Sequence, residues 1–529
     1  MFDILIKKGI VVDGTGNPWY RADVGVEAGR IVAIGRLSGA KAERIIDADG
    51  LVVAPGFIDM HSHSDLMLLV EPDAKQKIMQ GVTTEVIGQD GLSAAPMRAD
   101  AVDHWRTYIS GFDGDPDVDW DWSSFGDYLN RLEETGTSTN VASLIPHGNV
   151  RMVVMGEDNR RPTDAELKEM QRLVAASMEE GGFGLSTGLI YPPCVYAQTD
   201  ELVELCRVVA RFGGIFVVHM RNEGDQLLEA VKEVVKIGRE AGLPVHISHF
   251  KASGKANWGK TKKALRLVEE ARAKGVDVTV DQYPYTAGST TLSSLLPPWV
   301  HEGGVDKLVK RLESAKERER MKRDIAQGIP WWQNWVVDCG WEGIYVSCVG
   351  TEKNKPLEGK NLVEIARIMN KPDEFTALCD LLLEEGGTGQ MIVFYGSEDD
   401  VRYVMRHPVQ MFCTDGLLGG KPHPRVYGTY PRVLGRYVRE EGVLTLEEAV
   451  RKMTSLPAQT LGLRDRGMIR CGMAADITIF DPETVLDTAT YQNPHQFPIG
   501  IKFVIVNGQI TKENGKHTGV FAGKVLRHG

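Results

Sequence analysis

Two histidines separated by one residue follow a strongly apolar run near the start of the chain. The run covers residues 51–60, and His61 and His63 come directly after it. Side chains at positions i and i+2 of a β-strand point to the same face, so two imidazoles at this spacing can bind one metal ion together. The pair alone is also compatible with two structural histidines.

Three more apolar runs, widely spaced in the sequence, each end in a residue of a type that binds metals. These runs and their last residues are 214–219 with His219, 244–249 with His249, and 409–415 with Asp415. A parallel β/α barrel builds its active site in this way, from side chains at the C-terminal ends of several strands. One such histidine alone would favour a structural role, but the set predicts a metal-dependent hydrolase.

The chemistry expected of this set is that of zinc-type ions. Such ions favour imidazole nitrogen and carboxylate oxygen and, in catalytic sites, keep one position open for water. The ion lowers the pKa of that water and polarises a carbonyl group. Asp415 would be a ligand, a general base that passes a proton to the leaving nitrogen, or both. His246 lies on the opposite face of its strand from His249 and is interpreted as structural, while His147 either lines the pocket or supports the site.

Strand-like runs alternate with helical patterns through the middle of the chain. Residues 165–180 and 225–241 carry apolar residues at helical spacing, and regular alternation of strand and helix predicts a parallel sheet. We therefore predict an α/β protein with a (β/α)8 TIM-like barrel over residues 55–466 as its catalytic unit. The two chain ends, residues 1–54 and 467–529, have short strands with tight turns and should join in one small β-domain.

Residues from about 290 to 350 break this alternation and are rich in Lys, Arg and Trp. We interpret them as an insertion beside the mouth of the active site. A helical decoration on the outer face of the barrel is the alternative interpretation.

The composition argues against some classes of partner. The chain of 529 residues has a formal net charge of −11 and no long basic run. This disfavours nucleic acid or an anionic membrane as the main partner, but not an anionic small-molecule substrate. The N-terminus lacks the pattern of a signal peptide, and no apolar stretch is long enough to span a bilayer. Seven scattered cysteines without a CxxC pair indicate a reduced, cytoplasmic protein. The sequence leaves homo-oligomerisation open.

Several segments spread over nearly the whole chain carry a resemblance to a known family. The segments are 55–65, 80–86, 184–193, 219–223, 247–251, 281–285, and 414–416 followed by 423–429. The last of them reads Thr-Asp-Gly and then His-Pro-Arg-Val-Tyr-Gly-Thr. With these segments the chain resembles the amidohydrolase superfamily and, within it, the D-aminoacylase (N-acyl-D-amino-acid deacylase) family.

The resemblance implies a distorted β/α barrel with a small β-sandwich and an inserted subdomain. It also implies hydrolysis of the amide bond of an N-acyl-D-amino acid to a carboxylate and a D-amino acid, with one or two divalent metal ions, Zn²⁺ in the first place. The resemblance implies that the metal ligands are His61, His63, His219 and His249, and that Asp415 is the general base and acid. It implies that Tyr283 polarises the scissile carbonyl and that Tyr191 is part of the substrate pocket. It also implies that the substrate α-carboxylate is bound by Lys251, Ser289 and Arg425. The alternative for Lys251 and Arg425 is that they only pair with nearby acids.

The chain departs from the family pattern at one position. The family commonly has a cysteine metal ligand in the turn after the second strand, where this chain has Asp90. Aspartate is a harder ligand than thiolate, so we expect Asp90 to bind or bridge the metal and the site to hold metal less tightly or to prefer a harder ion. No lysine falls at a credible strand end between His63 and His219, which disfavours a carboxylated-lysine bridge.

The substrate side chain is less readable from the sequence. The segment 290–299 follows the expected carboxylate-binding residues and contains no Lys or Arg. It therefore favours a neutral or apolar D-side chain over an acidic one.

Other functions compete with deacylation. A cyclic amidase, such as a hydantoinase or dihydroorotase, has the same general fold but usually requires a carboxylated lysine. Another linear amide, such as an N-acyl dipeptide, is an alternative substrate because of Asp90. A non-enzymatic member would typically have lost metal ligands, and this chain has all four histidines and Asp415. Fold alone does not decide among these functions.

Overall fold

The structure is a computed structural model that describes residues 1–529, except for the side chain of residue 113. Its strands form four sheets, of which two are parallel, one is mixed and one is antiparallel. The strands are β1 (Phe2–Val11), β2 (Tyr20–Glu27), β3 (Arg30–Gly35), β4 (Ala42–Asp47), β5 (Val52–Pro55), β6 (Phe57–Asp59), β7 (Val82–Ile87), β8 (Asn140–Ser143), β9 (Ile145–Pro146), β10 (Gly184–Gly188), β11 (Ile215–His219), β12 (Val245–Ile247), β13 (Val278–Gln282), β14 (Ala287–Thr291), β15 (Ile344–Cys348), β16 (Gln390–Phe394), β17 (Gln410–Phe412), β18 (Ile477–Phe480), β19 (Ile501–Val506), β20 (Gln509–Glu513) and β21 (Lys516–His517).

Helices separate most of the strands in the middle of the chain. The α-helices are α1 (Met67–Val70), α2 (Lys75–Ile78), α3 (Val102–Asp113), α4 (Phe125–Thr135), α5 (His147–Met155), α6 (Asp164–Glu179), α7 (Thr199–Arg211), α8 (Leu227–Ala241), α9 (Thr261–Ala273), α10 (Val305–Glu313), α11 (Ala315–Gln327), α12 (Trp335–Cys339), α13 (Leu362–Ile368), α14 (Glu374–Glu384), α15 (Glu398–Met405), α16 (Arg425–Arg432), α17 (Leu446–Met453) and α18 (Ser455–Thr460). A π-helix, Val433–Glu440, continues α16. Capping boxes at Ser124 and Thr163 fix the starts of α4 and α6 by satisfying backbone N–H groups of the first turn.

Two parallel sheets form the centre of the molecule. One has the strand order β17-β13-β12-β11-β10-β9 and the other β6-β7-β8, and every pairing within them is parallel. Strands β8 and β9 are separated by one residue, and a parallel bridge between Ser62 and Gly416 joins the β6 end to the β17 end. The predicted α/β class is confirmed.

The main hydrophobic core lies between these strands and the helices that connect them. Helices α6 to α9 alternate with β10 to β13 along the chain. Val209 and Val234 on the helices belong to the same buried cluster as Phe216 and Val245 on the strands. The strands are buried throughout, as is typical of a parallel sheet covered by helices.

Strands from both ends of the chain form a nine-stranded mixed sheet. Its order is β21-β20-β19-β18-β5-β1-β2-β3, with β4 paired to β1. The prediction that the two ends join in one β-structure is therefore confirmed. Val53 of β5 and Ile479 of β18 are register partners, so the N-terminal and C-terminal segments meet directly.

A fourth sheet is antiparallel and lies next to the segment predicted to be an insertion. Its order is β14-β16-β15, and helices α10, α11 and α12 connect β14 to β15. None of the helices in the described part of the chain combines the length and apolar character that crossing a bilayer requires.

Candidate metal centre and active site

The six predicted metal ligands lie at the C-terminal ends of the central strands. His61 and His63 follow β6, and His219 is the last residue of β11. The remaining three, His249, Asp415 and Asp90, follow β12, β17 and β7, respectively, with Asp90 inside a short 3-10 helix. All six side chains are buried. The structure thus brings together every residue of the predicted ligand set, although they come from five different strands.

The donor atoms of these residues converge within a few ångströms. The His61 Nε2 and His63 Nε2 atoms are 3.1 Å apart, and Asp415 Oδ1 lies 3.5 Å from the first and 3.4 Å from the second. Asp90 Oδ1 is 3.7 Å from His61 Nε2, while Asp90 Oδ2 is 3.8 Å from His219 Nδ1. Three overlapping triads can each surround an ion, and Asp90 belongs to two of them.

Several of these buried atoms lack a hydrogen-bond partner among the described residues. They are His61 Nδ1, Asp90 Oδ1 and both ring nitrogens of His219. Buried polar atoms in proteins are almost always satisfied, so such a group of unsatisfied donors and acceptors indicates a missing ligand. Burial lowers the pKa of His61 and of His219 well below the usual value, so both imidazoles are neutral and able to donate a lone pair. The residues present therefore fit a divalent metal.

Three of the candidate ligands have left-handed backbone conformations. The φ angles of Asp90, His249 and Asp415 are 56°, 35° and 46°. Residues other than glycine adopt this region at an energetic cost, and such residues cluster at functional sites. The conformation turns each side chain away from the direction that continued extended backbone would give it.

A buried network fixes the strand ends that carry His61 and Asp415. Asp59 accepts hydrogen bonds from the Thr414 backbone N–H at 2.8 Å and from its hydroxyl at 2.6 Å. The Lys77 ammonium donates to the same hydroxyl at 2.7 Å and also to the Asp59 carboxylate. In addition, the Asp415 N–H donates to the His61 carbonyl at 2.9 Å. The first and last central strands are thereby held in register next to the ligands.

Glu223 is a site residue to which the sequence analysis assigned no role. One of its carboxylate oxygens lies 3.0 Å from His249 Nδ1 and accepts a hydrogen bond from the Lys251 ammonium at 2.7 Å. The same ammonium is 2.7 Å from His249 Nδ1 and 2.8 Å from the His249 carbonyl. Lys251 is therefore paired with an acid in this structure. Glu223 closes the 219–223 segment, and only its proximity to His219 in sequence pointed to it.

Arg425 is fully buried and also faces an acid. Its Nη1 atom lies 3.0 Å from Asp415 Oδ2, and its Nη2 donates to the Ser289 carbonyl at 3.0 Å. The guanidinium is 4.3 Å from the ring centroid of Tyr283. Burial raises the pKa of Asp415, but Arg425 and His61 outweigh it and hold that pKa well below the usual value. The Arg425 Nε group is buried without a hydrogen-bond partner among the described residues.

Five of the six candidate ligands, all but His61, line a small cavity. Of the predicted substrate-site residues, Tyr191, Lys251, Tyr283 and Ser289 line it, whereas Arg425 is fully buried behind Tyr283 and does not. Side chains whose position the sequence did not predict complete the wall, namely Phe112, Thr290, Trp335, Val393, Tyr395 and Leu417. Trp335 belongs to α12, so the segment between β14 and β15 contributes to the cavity.

The two other histidines that the sequence analysis considered, His246 and His147, make local hydrogen bonds. His246 Nε2 lies 2.7 Å from Asp281, whose other oxygen accepts the His249 backbone N–H. His147 lies in a second buried cluster, 2.9 Å from Thr187 Oγ1 and 2.9 Å from Glu201. His246 thus supports the turn that carries His249.

With this geometry established, sequence and structure comparisons define the class of the protein. The chain matches the model of the amidohydrolase family over residues 44–319 and 375–512, and it belongs to that family. The solved structure of an L-hydantoinase from Arthrobacter aurescens is 17% identical, with a TM-score of 0.55, and shares the fold alone.

Within the family, the full-length relatives are more specific. D-aminoacylase of Alcaligenes xylosoxydans xylosoxydans is 37% identical over 99% of this chain and 97% of its own length, so the chain belongs to the family of that protein. N-acyl-D-glutamate deacylase of the same organism is 39% identical over 96% and 93%. The structure of N-acyl-D-glutamate deacylase from Bordetella bronchiseptica, complexed with zinc and a phosphonate inhibitor, is 36% identical over 99% of both chains, with a TM-score of 0.83.

Proposed function

We propose that this protein hydrolyses the amide bond of N-acyl-D-amino acids to a carboxylate and a D-amino acid, with zinc as its metal. The observation that carries the proposal is the buried cluster of four histidines and two aspartates, which opens onto a cavity in a chain whose full-length relatives are N-acyl-D-amino-acid deacylases. A solved relative with zinc and another studied for its binuclear metal centre support the choice of metal.

The four histidines His61, His63, His219 and His249, together with Asp90 and Asp415, would hold the metal. Zinc bound there would polarise the scissile carbonyl and lower the pKa of the attacking water. Asp90 belongs to two of the three groups of donor atoms that can surround an ion. This supports a bridging role for Asp90 if two ions bind.

Proton transfer is assigned to Asp415 and stabilisation of negative charge to Tyr283. The Asp415 carboxylate takes the proton of the attacking water and delivers it to the leaving nitrogen. The Tyr283 hydroxyl lines the cavity and is hydrogen-bonded to the Tyr395 hydroxyl at 2.6 Å. Burial raises the pKa of Tyr283 well above its usual value, so the phenol keeps its proton. It can therefore donate a hydrogen bond to the carbonyl oxygen as negative charge develops there.

Lys251, Ser289 and Arg425 are assigned to the substrate α-carboxylate, and Tyr191 to the pocket wall. The Nε group of Arg425, which has no hydrogen-bond partner among the described residues, supports this role, because a guanidinium can bind a carboxylate with two parallel hydrogen bonds. Both cations are already held by acids, Glu223 and Asp415. Substrate binding would therefore compete with contacts that preorganise the two side chains.

The closure of the barrel and the bounds of the domains are part of the same proposal. We propose that the two parallel sheets close into one eight-stranded β/α barrel in which β8 and β9, one residue apart, count as one strand. The Ser62–Gly416 bridge supports this closure. Residues 1–54 and 467–529 would form the small β-sandwich domain, residues 55–466 the barrel, and residues from about 290 to 350 an insertion in it. The seven free cysteines are consistent with a reducing, cytoplasmic environment.

Hydrolysis of paired N-acetyl-D- and N-acetyl-L-amino acids tests the function. The protein is assayed as purified, after dialysis against a chelator, and after zinc is added back. We expect release of acetate from the D-series alone, loss of activity on dialysis, and recovery with zinc. Activity on the L-series, or on 5-substituted hydantoins in place of the D-series, would overturn the proposal.

A pair of isosteric substitutions assigns the proton transfer. Asp415→Asn should reduce kcat by at least 100-fold, which is the size of a typical general-base contribution. Asp399→Asn is the matched control, because the Asp399 side chain is 99% exposed and lies on α15, and it should retain wild-type kcat. Equal kcat values for the two variants would refute the role of Asp415.

A further inference from the structure

The cavity at the metal centre combines charged and neutral regions. Its charged lining consists of candidate metal ligands and the Lys251–Glu223 pair. Lys251 is the single lysine or arginine among the described side chains that line it. Arg425 lies directly behind the wall, against Tyr283 and Asp415.

Neither of these cations is in excess over nearby anions. Glu223 is fully buried and neutralises Lys251 at 2.7 Å, while Asp415 faces Arg425 at 3.0 Å. The second carboxylate oxygen of Glu223 is buried without a hydrogen-bond partner in the described part of the chain. Neither Lys251 nor Arg425 is therefore a free cation for a carboxylate in the side chain of a substrate.

The rest of the lining is aromatic or aliphatic. Phe112, Trp335, Val393 and Leu417 are all at least nine-tenths buried. Phe112 packs edge to face against Tyr191 with ring centroids 4.9 Å apart.

The hydroxyl groups in this wall are already used. The Tyr191 hydroxyl is 2.8 Å from Thr290 Oγ1, and the Ser289 hydroxyl donates to the Met391 carbonyl at 2.9 Å. The wall thus offers apolar contact and few free hydrogen-bond donors to a substrate side chain.

We infer that the side chain of the substrate is uncharged and largely apolar, so that N-acyl derivatives of D-methionine, D-leucine and similar residues are preferred over those of D-glutamate and D-aspartate. The inference rests on the proposed function and deepens it. An acidic substrate brings a second carboxylate, and no lysine or arginine among the described side chains of the lining is free to pair with it. Burying the second without a partner is strongly unfavourable.

The substrate series that tests this inference contains a matched neutral analogue. The values of kcat/KM are measured for N-acetyl-D-methionine, N-acetyl-D-leucine, N-acetyl-D-glutamine and N-acetyl-D-glutamate with the zinc-loaded protein. Glutamine and glutamate differ in charge but hardly in size. We expect glutamate to be at least 100-fold slower than glutamine, which corresponds to about 2.7 kcal/mol, and methionine to be at least as fast as glutamine.

Substitutions that introduce a cation into the cavity wall provide a second, independent test of this inference. Leu417→Arg places a guanidinium in the apolar wall, and Thr290→Lys does so from another position if the first variant does not fold. Either should reduce the glutamine-to-glutamate ratio by at least tenfold. Leu417→Met is the control of similar volume without charge, and its ratio should stay within threefold of that of the wild type.

The outcomes separate this inference from the proposed function. Turnover of N-acetyl-D-glutamate within threefold of N-acetyl-D-glutamine would overturn the inference alone, since deacylation would still have been observed. Absence of turnover for every D-substrate by the zinc-loaded protein would overturn the proposed function, and the inference with it.

Discussion

Replacement of Lys77 by methionine should destabilise the fold far more than loss of a surface lysine. The Lys77 side chain is 2% exposed and its ammonium contacts the fully buried Asp59. A second buried carboxylate, Glu85, lies 3.8 Å away. Methionine has nearly the same length and keeps the apolar contacts of the stem, so the substitution removes mainly the charge.

The size of the effect follows from what is left behind. Breaking a buried ion pair by removing one partner typically costs about 3–5 kcal/mol, because the other charge is stranded. Asp59 would retain its two hydrogen bonds from Thr414, which favours the lower end of that range. We therefore expect a loss of about 3 kcal/mol in the free energy of unfolding.

Urea unfolding of the metal-free protein, followed by circular dichroism, measures this loss. The control is Lys8→Met, because Lys8 pairs with Asp47 at 3.2 Å but both side chains are more than half exposed. Its unfolding midpoint should match that of the wild type, since exposed pairs contribute little.

A double substitution tests the mechanism as well as the size. Asp59→Asn in the Lys77→Met background removes the stranded charge and should recover most of the lost stability, whereas independent effects would add. A Lys77→Met variant within 1 kcal/mol of the wild type would refute the reasoning. So would a double variant less stable than either single one.

Three further predictions concern the metal, the carboxylate site and acid stability. Asp90→Cys supplies a softer ligand and should tighten zinc binding at least tenfold in a chelator competition assay; unchanged affinity would show that Asp90 does not bind the ion. Arg425→Lys loses the planar guanidinium fork and should lower kcat/KM by about 10- to 100-fold, mainly by raising KM. An unchanged KM would show that Arg425 pairs with Asp415 and does not bind the substrate carboxylate. Burial lowers the pKa of His301 to about 4. The His301 side chain therefore becomes protonated below about pH 6.5 in the unfolded chain but only below about pH 4 in the folded protein. The free energy of unfolding consequently falls as the pH drops through that window. His301→Gln should abolish about 2 kcal/mol of that fall between pH 6.5 and pH 4.5. Equal losses of stability for the two proteins in urea unfolding at these two pH values would contradict this.

The ligands of the candidate site were accessible from sequence because of a simple geometric rule. His61, His63, His219 and Asp415 each follow an apolar run, and the C-terminal ends of parallel strands meet at one edge of the sheet. The pairing of both chain ends could be predicted for a similar reason, since short strands with turn residues at each end need partners. Both predictions depend only on local pattern and on topology.

The cavity wall could not be predicted in this way. Trp335 reaches the cavity from α12 and Phe112 from α3, segments whose periodicity says nothing about which strand ends they approach. The pairing of Glu223 with Lys251 and of Arg425 with Asp415 also depends on tertiary packing. Sequence pattern identifies such residues as ionisable, but not which neighbour each one faces.

The left-handed backbone of Asp90, His249 and Asp415 has an evolutionary consequence. Glycine occupies this conformation without steric cost, so at these three positions the best residue for the fold and the best residue for the chemistry differ. Replacement by glycine there would relieve backbone strain while removing a metal ligand. Random mutation can therefore exchange catalytic power for robustness at these positions. Only continued selection for turnover keeps the ligand set intact, and a lineage released from that selection should lose these three residues before it loses the histidines on relaxed backbone.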